Sequence, residues 1–189
     1  MISAILLAAG QSKRMEGENK LTKKIQNIPL LEHSINNILS SSIDELIIVL
    51  GYQKEIVEKT INKHEKIKIV FNKDFESGIA SSIKIGLNNL SNQCKAFFIC
   101  LGDMPKVKKN IYIELIKYIE NYEIVVPTYK GQQGNPVLFS KSVKDKIMSI
   151  QGDFGAKKML KTYNGKLLYK EINDEAIMLD FNKKENFYL

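Results

Sequence analysis

Near its amino end the chain carries the stretch Ile2-Ser3-Ala4-Ile5-Leu6-Leu7-Ala8-Ala9-Gly10, a short apolar run that ends at small residues and a glycine. The run is far shorter than the about 20 residues of a membrane-spanning helix. Its length and apolar character are typical of a buried strand. Similar runs predict further strands near residues 45–50, 67–71, 95–101 and 123–127.

The segments between these runs have helical periodicity and predict helices over residues 29–40, 53–62, 79–90 and 108–121. Later predicted elements are less regular: strands over 135–139 and 167–172, and helices over 141–149 and 153–163. Alternating strands and helices are typical of a parallel sheet with helices on its faces. We therefore expect one α/β domain with a mixed, mostly parallel sheet, whose ligands bind outside the carboxyl ends of the strands.

The composition is that of an ordinary globular protein. The chain has 189 residues, of which 44% are hydrophobic and 26% charged, and it needs no disulfide to form a core. Without a membrane span or a signal-peptide pattern, we expect a cytoplasmic protein with no membrane contact. Cys94 and Cys100 match no zinc or redox spacing, and Cys100 lies in an apolar run that predicts a core position.

The formal net charge of +7 favours anionic partners without choosing among nucleic acid, membrane and small substrates. Arg14 is the only arginine among 28 basic residues, and it lies with Lys20 in the loop after the first strand. A guanidinium can bind phosphate through two parallel hydrogen bonds, and small residues let backbone N–H groups approach an anion. The loop matches neither the P-loop nor the dinucleotide-binding glycine pattern. It predicts a phosphate-binding loop, with a solvated basic turn as the alternative.

A carboxylate follows the fourth predicted strand in Ile99-Cys100-Leu101-Gly102-Asp103-Met104-Pro105. Such a group can hold Mg²⁺ while substrate phosphates supply further ligands, although Gly-Asp and Pro are also common turn residues. The carboxyl ends of parallel strands share one edge of a sheet. We therefore expect Asp103 near the basic loop, where the pair would suit a Mg²⁺–nucleotide complex.

Taken together, Leu6–Met15 with Lys20-Leu21 and Leu101-Gly102-Asp103-Met104-Pro105 resemble the nucleotidyltransferase family that includes molybdenum cofactor cytidylyl- and guanylyltransferases. Further similar stretches follow in order along the chain: Gly78-Ile79-Ala80-Ser81-Ser82-Ile83, Gly134-Asn135-Pro136-Val137-Leu138-Phe139 and Gln151-Gly152-Asp153-Phe154-Gly155-Ala156. The resemblance implies a single Rossmann-like domain, residues 1–189, of the nucleotide-diphospho-sugar transferase type. Its nucleotide-binding part would be about residues 1–107 and its acceptor-binding part about residues 108–189.

The resemblance also implies roles for the residues in the matching stretches. The implied catalytic residues are Arg14, Lys20 and Asp103. The implied nucleotide-binding residues are Leu7, Ala8, Ala9, Gly10, Arg14, Lys20, Gly78, Ser81, Ser82 and Asp103. The implied acceptor-binding residues are Gly134, Asn135, Pro136 and Asp153, although Asp153 could instead cap the helix that follows it.

The family's last motif, Asp-x-Asp-Thr-Pro-Glu-Asp, is only partly matched by Asp180-Phe181-Asn182-Lys183-Lys184-Glu185-Asn186. Asp180 is kept, Asn182 replaces the second carboxylate with an amide, and Thr-Pro is missing. The implied metal ligands are Asp103, Asp180 and Asn182. Asn135, where the family has His, is a second departure and affects how the acceptor would be held.

The activity implied by the resemblance is Mg²⁺-dependent transfer of CMP from CTP to the phosphate of molybdenum-loaded molybdopterin, with release of pyrophosphate. The Leu-Ala-Ala-Gly form of the first loop resembles cytidine-using members, whereas Leu-Ala-Gly-Gly goes with guanine users. The alternatives are a GTP-using enzyme, a transferase acting on a sugar or alcohol phosphate, and a nucleotide- or RNA-binding protein without catalysis. Because no aromatic–basic nucleic-acid motif is present, we expect no nucleic-acid partner. We expect a monomer, with at most transient contact with a molybdoenzyme or its chaperone.

Overall fold

The apolar runs of the sequence form one central sheet. The computed structural model describes residues 1–12, 18–149 and 157–182. Its strands are β1 (Ile2–Ala8), β2 (Lys24–Ile25), β3 (Ile28–Pro29), β4 (Glu45–Leu50), β5 (Ile67–Phe71), β6 (Ala96–Leu101), β7 (Ile124–Tyr129), β8 (Gln132–Gln133), β9 (Val137–Ser140) and β10 (Leu167–Glu171). Its α-helices are α1 (Leu30–Leu39), α2 (Lys54–Glu58), α3 (Ile79–Asn88), α4 (Lys109–Ile116), α5 (Lys144–Met148) and α6 (Lys157–Leu160). Short 3-10 helices include Lys20–Thr22, Phe75–Ser77 and Glu175–Met178.

The main sheet has the strand order β10-β7-β9-β6-β1-β4-β5, and β8 pairs with β7. β1 lies between β6 and β4 and is parallel to both. β9 is antiparallel to its neighbours β6 and β7. The sheet is therefore mixed and mostly parallel, as predicted, and β1, β4, β5 and β6 all end at the same edge.

The two faces of the sheet carry separate hydrophobic clusters because side chains alternate along a strand. Ala4 and Leu6 of β1 belong to the cluster that packs against α1, α2 and α4. Ile5 belongs to the cluster formed with α3, α5 and Leu160 of α6. The prediction of helices on both faces is confirmed, and β1 is held from both sides.

Some predicted helices are shorter in the structure. α2 ends at Glu58 and α4 at Ile116 because the next backbone bonds reach back three residues, as from Ile61 N to Glu58 O (3.1 Å) and from Ile119 N to Ile116 O (3.2 Å). This tightening is typical of helix ends. The predicted helix over 153–163 begins outside the described residues, and α6 covers 157–160 of it. Across the described ranges, no helix combines the length and apolar character needed to cross a membrane.

Candidate active site

A cleft of about 470 Å³ opens where β1, β5 and β6 end. It brings together most of the residues implied by the sequence motifs. Its lining includes Leu7, Ala8, Ala9, Gly10, Lys20, Gly78, Ser82, Asp103, Asp180 and Asn182, with Gln11, Ser12, Leu21, Phe75, Glu76, Ile79 and Leu101 between them. Arg14 and Asp153 lie outside the described residues. The nucleotide and metal candidates that are described therefore share one cleft, with the exception of Ser81.

The first loop leaves β1 in a fixed direction. Ala9 is buried, and its carbonyl oxygen accepts a hydrogen bond from Tyr52 N at 3.2 Å. At Gly51 a Cβ atom would lie 2.7 Å from the Cβ atoms of both Ala9 and Phe75, so only glycine permits this close approach. Gly51 was not among the predicted site residues, because nothing in the motif marks a glycine 41 positions after Gly10 as its neighbour.

Lys20 joins the predicted metal ligands. Its ammonium Nζ lies 2.5 Å from Asp103 Oδ2 and 2.6 Å from Asn182 Oδ1. The side chains of Lys20 and Asp103 are only 16% and 15% exposed, so this ion pair is largely shielded from solvent. The Lys20 backbone N donates to Ser12 Oγ at 3.2 Å, which ties the lysine to the first loop. The Lys20 ammonium thus bridges two of the oxygens that the family resemblance implies as metal ligands.

The donor atoms fit a divalent cation such as Mg²⁺ or Mn²⁺. Both ions prefer oxygen ligands, and Asp103 and Asp180 offer carboxylates while Asn182 offers an amide oxygen. Within residues 1–12, 18–149 and 157–182, no three acidic, histidine or cysteine side chains are grouped so that they could hold a metal. The protein would therefore supply few ligands, leaving substrate phosphates and water to complete the coordination shell.

A backbone hydrogen bond holds the C-terminal segment at the cleft. Phe181 N donates to Asp103 O at 2.9 Å, and the Phe181 side chain is buried in the cluster that contains α1 and α4. Asn182 follows directly, so its amide is held beside Asp103 even though the last family motif is incomplete. The replacement of a carboxylate by Asn182 thus leaves an oxygen donor at this position.

The opposite wall of the cleft is built around α3. Gly78 precedes α3 with a φ of 105°, a conformation that favours glycine, and Ser82 lines the cleft while being 4% exposed. Ser81 points elsewhere, since its hydroxyl lies 2.7 Å from Gly78 O. Gln11 Nε2 donates to Glu76 Oε1 at 2.9 Å and connects the two walls. The roles of Phe75 and Glu76 in the lining were not predicted.

The described acceptor candidates lie outside this cleft. Gly134 N donates to Pro127 O at 2.8 Å, and Asn135 N donates to Ile177 O at 2.9 Å. A Cβ atom at Gly134 would lie 2.7 Å from Ile177 O. Gly134 and Asn135, with Pro136, therefore connect β7, β9 and the Glu175–Met178 helix, and their role in acceptor binding stays a prediction.

Cys100 and His33 have structural surroundings. Cys100 is 2% exposed in β6, as predicted for a core residue. Burial raises the pKa of the Cys100 thiol well above its usual range, and the hydrogen-bonded Tyr112 has a raised pKa for the same reason, so both groups are neutral near pH 7. His33 Nε2 lies 2.9 Å from Ile25 O, which links α1 to the β2–β3 hairpin.

Residues 4–167 match the family model of the MobA-like NTP transferase domain. The molybdenum cofactor cytidylyltransferase of Escherichia coli K12 is 27% identical over 98% of this chain and 93% of its own length. The molybdenum cofactor guanylyltransferase of Aliivibrio fischeri MJ11 is also 27% identical, over 99% of this chain and 89% of its own length. The bifunctional protein GlmU of Staphylococcus epidermidis is 23% identical over 75% of this chain, which spans only 31% of the GlmU length.

Solved structures share the whole fold. Rv0371c from Mycobacterium tuberculosis H37Rv has a TM-score of 0.88 and 22% identity, covering 99% of this chain and 95% of that one. A complex of Rv0371c with manganese has a TM-score of 0.77 and 21% identity, covering 90% of this chain and 88% of that one. A nucleotidyl transferase from Methanothermobacter has a TM-score of 0.83 and 19% identity, covering 100% and 94%. The fold predicted from the sequence is confirmed.

Proposed function

The chain belongs to the MobA-like NTP transferase family, as its motifs predicted, and we propose that it transfers CMP from CTP to the phosphate of molybdenum-loaded molybdopterin. One observation carries the proposal: the first loop, Lys20, Asp103 and Asn182 meet in a single cleft. The similarity to the cytidylyltransferase and guanylyltransferase over nearly their full lengths supports the acceptor class.

The proposed reaction is a single displacement at phosphorus. An oxygen of the acceptor phosphate attacks the α-phosphorus of CTP, and a new P–O bond forms. The bond from the α-phosphorus to the bridging oxygen breaks, and that oxygen leaves with pyrophosphate. Because a phosphate is already ionised near pH 7, the attacking group needs no general base from the protein.

The protein would act mainly by positioning and by offsetting charge. Asp103, Asn182 and Asp180 would hold Mg²⁺, which supplies positive charge to the triphosphate. Lys20, together with the predicted Arg14, would bind phosphate oxygens and offset the charge on the departing pyrophosphate. Ala9 and Gly10 line the cleft, and their backbone N–H groups would bind the same phosphates.

The strand order indicates how a nucleotide would lie along the edge of the sheet. Asp103 follows β6, whereas Gly78 and Ser82 follow β5, and β1 and β4 lie between these two strands. Three strand spacings of about 4.8 Å separate β5 from β6, or about 14 Å, which is enough to accommodate a nucleotide across the edge. We infer that the phosphates lie near Asp103 and that the nucleoside lies toward Ser82.

The preference for CTP rests on the first loop. Ala9 distinguishes the Leu-Ala-Ala-Gly form from the Leu-Ala-Gly-Gly form of guanine users. A methyl group can affect base choice only where the backbone is fixed. The hydrogen bond from Tyr52 N to Ala9 O and the close approach of Gly51 provide such a constraint.

A transferase acting on a sugar or alcohol phosphate is the second candidate. Gly134, Asn135 and Pro136 lie outside the cleft, so the cleft residues do not select molybdopterin over another phosphorylated acceptor. The same nucleotide site would serve, and the acceptor alone would differ. We further propose that the enzyme uses Mg²⁺ as its physiological metal, acts in the cytoplasm and is a monomer, whichever acceptor it takes.

The test is pyrophosphate release by the purified protein with Mg²⁺ and molybdenum-loaded molybdopterin, with CTP, GTP, ATP and UTP in separate reactions. Release with CTP is expected. Release with GTP instead would reverse the donor assignment but keep the reaction. Pyrophosphate release only when a sugar or alcohol phosphate replaces molybdopterin would favour the second candidate. No pyrophosphate release with any acceptor would reject the proposal.

A further inference from the structure

Asn72 lies directly behind the nucleoside end of the cleft. It follows β5 and is 1% exposed. Its Oδ1 accepts a hydrogen bond from the backbone N of Asp74 at 3.0 Å. Because a backbone N–H can only donate, this bond fixes the orientation of the amide. The Asn72 Nδ2 atom must then face Ser81 Oγ at 2.8 Å and Ser82 Oγ at 2.9 Å.

This orientation decides where the two serine protons point. Both hydroxyl oxygens accept a hydrogen bond from Asn72 Nδ2, so each hydroxyl must donate its own hydrogen to another acceptor. Ser81 donates to a backbone carbonyl, since Gly78 O lies 2.7 Å away. Among the residues that the structure describes, no acceptor is hydrogen-bonded to the Ser82 proton. Ser82 is 4% exposed and lines the cleft, so its proton is available to a ligand there.

We propose that Asn72 is a positioning residue that fixes Ser82 as a hydrogen-bond donor to an acceptor atom of the nucleoside. The inference rests on the proposed function, because it takes the occupant of the cleft to be a nucleotide. The acceptor is a carbonyl oxygen of the base or an oxygen of the ribose. A buried donor favours ligands that satisfy it and disfavours those that leave it without a partner. Asn72 thereby affects nucleoside binding without touching the nucleoside.

The test compares the dissociation constants of CTP and inorganic tripolyphosphate by isothermal titration calorimetry. Ser82→Ala is expected to weaken CTP binding about tenfold, the equivalent of one lost hydrogen bond, and to leave tripolyphosphate binding unchanged. Ser77→Ala is the matched control, since its exposed hydroxyl donates to Asp74 O at 2.7 Å outside the cleft. It is expected to bind both ligands as the wild type does.

Asn72→Asp tests the positioning role itself. A carboxylate still accepts from Asp74 N but cannot donate, so the Ser82 hydroxyl is expected to turn toward it and away from the cleft. CTP binding should weaken about as much as in Ser82→Ala, and the double variant Asn72→Asp/Ser82→Ala should be no weaker than either single variant. With 2′,3′-dideoxy-CTP, a vanished loss assigns a ribose hydroxyl oxygen, and a persistent loss assigns an acceptor that this analogue keeps, the base carbonyl or the ribose ring oxygen.

Three results would overturn the inference. One is unchanged CTP affinity in Ser82→Ala while the wild type binds CTP, which would leave the proposed function intact. Another is equal weakening of CTP and tripolyphosphate in Asn72→Asp, which would give Asn72 a merely structural role. A folded wild type that binds neither CTP nor any other nucleoside triphosphate would overturn the proposed function as well.

Discussion

Lys20 occupies a position with two uses. Its ammonium lies 2.5 Å from Asp103 Oδ2 and 2.6 Å from Asn182 Oδ1, which are oxygens that a divalent cation would need. The ammonium therefore neutralises Asp103 in the protein alone. The ammonium must leave these oxygens before they can bind a metal ion. Once it has left, it can form an ion pair with a phosphate of a substrate in the same cleft.

We therefore expect Lys20→Met to bind Mn²⁺ about tenfold more tightly than the wild type in the absence of nucleotide, because one competing charge contact is removed. Electron paramagnetic resonance of free Mn²⁺ measures this directly. Pyrophosphate release by the same variant should fall by orders of magnitude, because the phosphates lose a cation.

Lys106→Met is the control for this effect. Lys106 Nζ lies 5.8 Å from the ring centroid of Phe181, so the variant removes a positive charge from the same region without removing a contact to Asp103 or Asn182. An equal gain in Mn²⁺ affinity in both variants would point to net charge alone and contradict direct competition.

At the scale of elements, Glu123 links three segments at the start of β7. Its carboxylate accepts hydrogen bonds from Tyr163 OH at 2.8 Å, from Lys166 N at 3.0 Å and from Ser142 Oγ at 3.4 Å. These bonds, that of Tyr163 first, lower the pKa of Glu123, and burial and the carboxylate raise the pKa of Tyr163 to about 12. The ionised carboxylate thus stabilises the start of β7 and β10.

Replacing Glu123 with Gln should change the pH dependence of stability. A lowered pKa means that the stabilisation is complete above the unfolded value, about 4.3, and is lost as pH falls through the folded value. The stability gap between the wild type and Glu123→Gln should therefore narrow as the pH falls from 6 toward 3, measured by urea unfolding. Glu120→Gln, which removes a carboxylate from an exposed neighbouring position, is the control for the lost charge. A constant gap for Glu123→Gln would contradict this prediction.

The contact between α3 and β1 leaves no room for a larger residue at Gly86. An added Cβ would overlap the Ile5 side chain, and both residues lie in the interior. Gly86→Ala should lower the free energy of unfolding by about 1–3 kcal/mol, as expected for an overpacked core. Gly10→Ala is the comparison, since its Cβ would meet no atom of the described residues within 4 Å. Equal stability of the Gly86 variant and the wild type in urea would show that α3 can move away from β1.

The sequence predicted the parts of the structure that depend on local pattern. β1 and β6 are short apolar runs, and the apolar residues of α1 recur at helical spacing, so both patterns predict buried elements. Lys20 and Asp103 lie in the loops that follow β1 and β6, where the strand ends predict a ligand site. Gly51 was not predicted because Ala9 and Phe75, which it approaches, are far from it along the chain. Asn72 was not predicted because its role depends on the orientation of its amide, which the hydrogen bond from Asp74 N fixes. The early ends of α2 and α4 were missed because helix boundaries depend on the last hydrogen bonds.

At the scale of the whole molecule, residues 177–182 connect the loop that contains Asn135 to the cleft at the end of β6. Ile177 O accepts from Asn135 N, and four residues later Phe181 N donates to Asp103 O. The buried Phe181 side chain fixes the segment in the core. The position of Asn182 is therefore set jointly by packing and by the end of β6.

Two substitutions separate these contributions. Phe181→Ala should lower stability by about 3–5 kcal/mol, as for a buried Phe, and should also weaken Mn²⁺ binding. Asn182→Ala should weaken Mn²⁺ binding with little change in stability, because its side chain is half-buried at the cleft. Thermal unfolding and Mn²⁺ titration measure the two effects, and normal Mn²⁺ affinity in Phe181→Ala would contradict the anchoring role.

The central position of β1 has a consequence for the rates at which amide protons exchange with solvent. β1 is paired on both sides and packed on both faces, whereas β5 and β10 form the edges of the sheet. Local opening exposes edge strands first, so the amides of residues 4–7 should be among the last to exchange in deuterium. The first loop, which follows β1 and lines the cleft, thus begins at a strand that is expected to open locally less often than the edge strands. Thermal fluctuations that loosen the edges of the sheet should leave the start of this loop in place.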